Sequence, residues 1–192
     1  MSQEIRDRFR QFVAPTYGRF PITLDRGEGA YVWDTDGKRY LDLGGGIAVN
    51  CLGHSHPEIS QVLAEQSSRL MHCTNFYHFE GQAQLAENLA KRLGQGRVFF
   101  CNSGAESSEV MLKLSRRFGQ VEGRFEVITT ENSFHGRTMA GISATGQAKV
   151  KDGFAPLLPG FAHVPFNDLD AVHAAITPAT VAVMIEGVQG ES

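Results

Sequence analysis

Several classes of protein are excluded by what this sequence has little of. Its three cysteines, Cys51, Cys73 and Cys101, are few and odd in number. They fit a reducing compartment better than a disulfide framework. No stretch approaches the ~18 consecutive apolar residues of a membrane span. Residues 1–13 mix Glu4 and Asp7 with Arg6, Arg8 and Arg10 and lack an apolar centre. They do not read as a secretory signal, and their acidic residues argue against a transit peptide. The formal charge is only −3 and no basic stripe is present, so nucleic-acid binding has little support. Internal repeats, low-complexity tracts and flexible linkers are missing as well. The default location is the cytoplasm. What remains is a 192-residue chain with 42% hydrophobic and 20% charged residues, the composition of a globular protein with an ample core.

The hydrophobic pattern then orders the chain. Ile5, Phe9 and Phe12 share one side of a short amphipathic helix, which the Ala14-Pro15 run breaks. Tyr31-Val32-Trp33 and Tyr40-Leu41-Asp42-Leu43 flank Asp34-Thr35-Asp36-Gly37, a hairpin signal. The acidic turn looks like the opening of a calcium loop, but Lys38 falls where a ligand is needed. Gly44-Gly45-Gly46 is not a dinucleotide fingerprint, because Val49 replaces the last glycine and a polar loop follows. No P-loop lysine motif occurs. Cys51, His54 and His56 form only a weak metal pattern without a second cluster. Pro57 opens one helical segment, to Met71, and residues 80–93 form another. Beyond these, apolar strands are expected at 98–101, 125–130, 161–165 and 181–186, the last as buried as the first. A helix capped by Asn167 or Asp168 lies between the final two. That alternation predicts an α/β fold with a mostly parallel sheet.

Ligands of such sheets bind beyond the carboxyl ends of the strands. Three chemically rich loops fall there. In the first, Ser103 is a good N-cap and Glu106 completes a capping box, while Gly104 lets a group approach the backbone. The free amides and dipole of that helix start suit a phosphate. In the second, Phe134 offers a flat face for stacking and Arg137 a fork for a carboxylate. His135, between them, is either a base or a structural loop histidine. In the third, Glu186 and Glu191 add negative charge. Together these features suggest a phosphorylated aromatic cofactor and a carboxylate-bearing substrate.

Five segments carry a family resemblance: Thr16-Tyr17-Gly18-Arg19-Phe20-Pro21; Gly45-Gly46-Ile47-Ala48-Val49-Asn50 with Gly53-His54; Asn102-Ser103-Gly104-Ala105-Glu106; Ser133-Phe134-His135-Gly136-Arg137-Thr138; and Val188-Gln189-Gly190-Glu191. From about Pro15 to Ser192 the chain resembles the class III aminotransferases that use pyridoxal 5'-phosphate, most closely those acting on acetylornithine. The resemblance implies fold type I, with residues 1–70 as an amino-terminal segment and 71–192 as the first part of the cofactor-binding domain. It implies that Ser103, Gly104 and Ala105 hold the cofactor phosphate, that Phe134 stacks on the ring, and that Glu186 lies at the cofactor. Arg137 would take the substrate α-carboxylate, with Tyr17 and Glu191 beside the substrate. Gly46 stands where ornithine aminotransferases tend to carry tyrosine, leaving room for an acyl group. The implied reaction moves the δ-amino group of N-acetylornithine to 2-oxoglutarate, in a homodimer. Ornithine and 4-aminobutyrate are the alternative donors, and a non-catalytic fragment is the alternative class.

Two family features are not found. Such chemistry needs a Schiff-base lysine. Lys38, Lys91, Lys113, Lys149 and Lys151 all lie in the wrong context, and the acidic partner of the pyridine nitrogen is missing too. The expectation is an amino-terminal part of an aminotransferase, inactive alone. Smaller departures are Ser107-Ser108, where the family often has Ala-Asn, and Gly187, where proline is usual.

Overall fold

The computed structural model describes residues 2–191. The chain divides into two compact units, Met1–Glu87 and Asn88–Ser192.

In the first unit, α1 (Ser2–Phe12) is the expected amphipathic helix. A three-stranded antiparallel sheet follows in the order β1 (Leu24–Glu28), β2 (Tyr31–Asp34), β3 (Arg39–Leu41). The acidic turn is held by its own hydrogen bonds. Asp34 accepts the amides of Asp36 and Lys38 and the Tyr40 hydroxyl, which hold its carboxyl below the usual range, the tyrosine contributing most. No metal-binding cluster occurs among the described residues. The segment after β3 departs from the expected polar loop: α2 (Gly45–Ala48) is a single turn with left-handed backbone. Helices α3 (Pro57–Ser67), opened by its proline, and α4 (Glu80–Leu93) follow. The division between the units falls within α4.

The second unit holds the parallel sheet, ordered β5 (Phe161–Val164), β4 (Glu126–Thr130), β6 (Thr180–Val183). Central β4 pairs in parallel with both neighbours, and four of its five residues are buried. Burying Ile128 there contributes about 1.5–3 kcal/mol. Helix α5 (Gly104–Gly119) sets Leu112 against Val127 and Ala144, with Phe161, Val181 and Met184 around them. A short helix, α6 (Met139–Ala144), was not expected. Thr138 caps it by accepting the Gly141 amide, and its last four residues are buried. Asp168 caps α7 (Leu169–Ala175) as expected.

Two strand expectations need correction. Residues 98–101 form no strand, because a strand exists only in a ladder and this stretch finds no ladder partner among the described residues. Strand β6 is shorter than expected and half-exposed, because it is an edge strand paired only with β4. No described helix is long and apolar enough to cross a membrane.

Candidate active site

The start of α5 is built by its own side chains. Ser103 is extended (φ −154°, ψ 158°) and its hydroxyl accepts the Glu106 amide at 3.2 Å. Glu106 answers one residue earlier than a standard capping box, taking the Asn102 backbone amide at 2.7 Å. The Asn102 side chain and the Ser103 hydroxyl also donate to that carboxylate. These bonds, the Asn102 side chain first, hold Glu106 below its ordinary pKa. A side chain at Gly104 would meet nothing within 4 Å, so the first turn opens onto free space. That is the geometry an anion needs in order to reach helix amides.

The second loop sits directly against this turn. Gly136 has φ +110°, and a Cβ there would stand 3.3 Å from both Cα and Cβ of Ala105. The glycine lets the two backbones touch. Residue 134 is fixed from the third loop, where Glu186 Oε2 accepts the Phe134 amide at 2.8 Å. The structure thus brings Ala105, Gly136, Phe134 and Glu186 into one contact chain. Arg137 is exposed, with its guanidinium 5.8 Å from the centre of the Phe134 ring.

His135 points inward. It is 6% exposed, its amide donates to Thr145 Oγ1, and its Nε2 has no hydrogen-bond partner among the described residues. Burial pushes its pKa down against the pull of Glu186. A histidine kept neutral and enclosed matches the structural alternative better than an exposed base.

Glu191 belongs to the third loop of the same unit. It lines an open cavity of about 720 Å³ with Glu131, Gln147, Lys151 and His163. Its segment is tied to the end of β4 by Gln189, which donates to Thr130 Oγ1 and the Glu131 carbonyl. Tyr17 belongs to the first unit, where it is exposed and lines a groove with Ile5, Phe9 and Pro21. Sequence reasoning missed two residues that assemble the site, Gly136 as the seat and Thr145 as the anchor of His135. A glycine between two chemically marked residues was the available signal for the first.

On an α/β fold, a helix cap with open amides is thus joined through a glycine contact to an aromatic and an arginine. The sequence pattern of "Aminotransferase class-III" matches residues 12–192, and the chain belongs to that family. The acetylornithine aminotransferase of Gloeobacter violaceus is 50% identical over 190 residues, covering 97% of this chain and 48% of that protein. That of Methanothermobacter thermautotrophicus is 46% identical, with 99% and 48% covered. Among solved structures, the ornithine aminotransferase of Toxoplasma gondii superposes with a TM-score of 0.92 at 28% identity, covering 99% of this chain and 46% of that one. The acetylornithine aminotransferase of Elizabethkingia anophelis gives 0.78, also at 28% identity, with 98% and 45% covered. These neighbours have the fold of type I pyridoxal-phosphate enzymes, as expected. The chain spans about half the length of the relatives it matches.

Proposed function

We propose that this chain supplies the cofactor-phosphate and carboxylate side of a pyridoxal 5'-phosphate aminotransferase that moves the δ-amino group of N-acetylornithine to 2-oxoglutarate. The observation that carries the reading is the seating of Gly136 on Ala105, which brings the loop that carries Phe134 against the first turn of α5. In this reading Gly104 and Ala105 give their amides to the phosphate, and Ser103 lies beside it as the helix cap. Phe134 presents its ring to the pyridine, and Glu186 keeps that ring in place through the Phe134 backbone. When bound, the cofactor supplies an electron sink for the carbanion of the amino donor. Arg137 pairs the donor carboxylate in a forked contact, and Tyr17 and Glu191 border the donor.

Relatives named for acetylornithine at 45–50% identity support the donor assignment, as does Gly46 with its room for an acyl group. The high superposition on an ornithine aminotransferase favours ornithine as the second reading. The reading extends to a homodimer in the cytoplasm, where the free Cys51, Cys73 and Cys101 would stay reduced.

In this reading none of the five lysines is the Schiff-base group. Lys38 lies over the Tyr40 ring, Lys91 and Lys113 are on helices, and Lys149 and Lys151 lie at a short turn. Residues 1–192 alone are therefore proposed to be inactive. Adding pyridoxal phosphate to them tests this, since visible absorbance from a lysine-linked cofactor would refute it. The donor is tested by comparing N-acetylornithine, ornithine and 4-aminobutyrate with the complete enzyme. A preference for 4-aminobutyrate would sink the assignment, and a preference for ornithine would select the second reading.

A further inference from the structure

The open cavity of about 720 Å³ on the second unit brings together two groups that the cofactor reading does not use, Lys151 and His163. Lys149, Gln147, Glu131 and Glu191 stand around them, while none of Ser103, Gly104, Ala105 and Phe134 borders the space. His163 stands on β5, in register with Thr129 of β4. Lys151 ends a single helical turn at residues 148–150, with its amide donating to the Ala148 carbonyl. Gln147 ties the start of that turn to the loop after β4 by donating to the Asn132 and Ser133 carbonyls. Both side chains therefore rise from anchored backbone.

Lys151 Nζ lies 3.1 Å from His163 Nε2, and the same ring nitrogen lies 3.2 Å from the Ala144 carbonyl oxygen. One nitrogen cannot serve both partners in one protonation state, because the carbonyl only accepts and the lysine has hydrogens to give. The Ala144 oxygen is already satisfied by the buried Thr129 hydroxyl at 2.8 Å. In the resting pair Nε2 is therefore bare and accepts a hydrogen from Lys151. Once Nε2 has taken a proton for itself, the Ala144 oxygen stands ready as its acceptor. Burial lowers the pKa of Lys151. Burial lowers that of His163 too, with the Lys151 charge adding to it against the pull of the carbonyls at the end of α6. An amine and a base within hydrogen-bond reach, with a third group placed to receive the base's proton, is the arrangement of an activated nucleophile.

We propose that Lys151 is a nucleophilic amine served by His163 as its base, and that the cavity takes an activated acyl group, carried as an acyl phosphate or an acyl thioester. The amine nitrogen forms a bond to the acyl carbon. The bond from that carbon to the phosphate oxygen or the sulfur breaks, and its electron pair leaves with the phosphate or the thiolate. The surplus proton on nitrogen passes to His163 Nε2 and from there to the leaving group or to water. No oxidant or reductant enters. The product is an amide, which removes the positive charge at residue 151.

The test exposes the complete protein to acetyl phosphate and, separately, to acetyl coenzyme A, and follows the lysines of residues 1–192 by peptide mass spectrometry. Lys149 is the internal control, exposed and on the wall of the same cavity. Lys151 should be acetylated about tenfold faster than Lys149 or more, the gain expected from a positioned base. Its rate should also reach half of its maximum at a lower pH than that of Lys149. His163→Gln should slow Lys151 by about the same factor and leave Lys149 unchanged. The pH comparison needs no variant, so it decides the matter even if His163→Gln does not fold. Selective reaction with one reagent alone supports the site and identifies the carrier. A Lys151 no faster than Lys149 with both reagents, or with the same pH dependence, overturns the nucleophile. An unchanged Lys151 rate in folded His163→Gln overturns the base.

Discussion

Replacing Gly136 by alanine strikes the contact on which the site depends. The residue has φ +110°, where side chains are strained, and the added Cβ would press on Ala105 at 3.3 Å from two of its atoms. Backbone strain of this kind costs on the order of 1–3 kcal/mol. At 1.4 kcal/mol per factor of ten, the seated loop becomes roughly 5- to 150-fold less favourable. The cost falls on the junction between Phe134 and the amides of α5, so affinity for pyridoxal phosphate should drop along with stability. Gly153→Ala is the matched control. It too has positive φ (+79°), but a Cβ there meets nothing within 4 Å. Both variants should lose urea stability, and only Gly136→Ala should lose cofactor affinity, read by fluorescence titration of the complete protein. If the two variants bind the cofactor equally well, the seating of Gly136 on Ala105 does not build the site.

Ser103→Ala should cost about 1 kcal/mol through the lost cap and should weaken pyridoxal phosphate more than pyridoxal, as measured by parallel titrations. Arg137→Ala should raise the donor KM far more than the cofactor dissociation constant, and equal losses would make Arg137 structural. The Glu106 carboxyl is held below its ordinary 4.5, mainly by the Asn102 side chain. Its stabilising contribution is therefore complete above about pH 4.5 and is lost as pH falls through the depressed value. Glu106→Gln should flatten that part of the acid unfolding curve. His135 runs in the same direction from a higher starting point. Because burial lowers its pKa below 6.5, the fold should lose stability as pH falls from 6.5 through that lowered value, and His135→Gln should remove this dependence.

Much of the fold was legible because local chemistry specifies it. Ser103 and Glu106 announce the start of α5 in four letters, Asp34 and Gly37 mark the hairpin, and Asp168 marks α7. The losses have physical reasons. Strand character at 98–101 was read from apolarity, but a strand also needs a neighbour, which propensity cannot supply. Helix α6 is short, carries Gly141 inside, and buries all of its last four residues, so it shows no 3.6-residue stripe. The left-handed turn was read as a loop because Gly44-Gly45-Gly46 signals freedom, whereas Asp42 accepts the amides of Gly44 and Gly45 at its entry. At the site, each loop was identified separately. What joins them, the Glu186 carboxylate on the Phe134 amide, spans 52 residues and has no local signature.

The central claim is that the first turn of α5 and the Phe134 face form one cofactor site. A crystal structure of the complete protein with pyridoxal phosphate tests it directly. The account predicts the phosphate on the amides of Gly104 and Ala105 with the ring stacked on Phe134. A phosphate bound away from that turn, or a ring that does not meet Phe134, would contradict it.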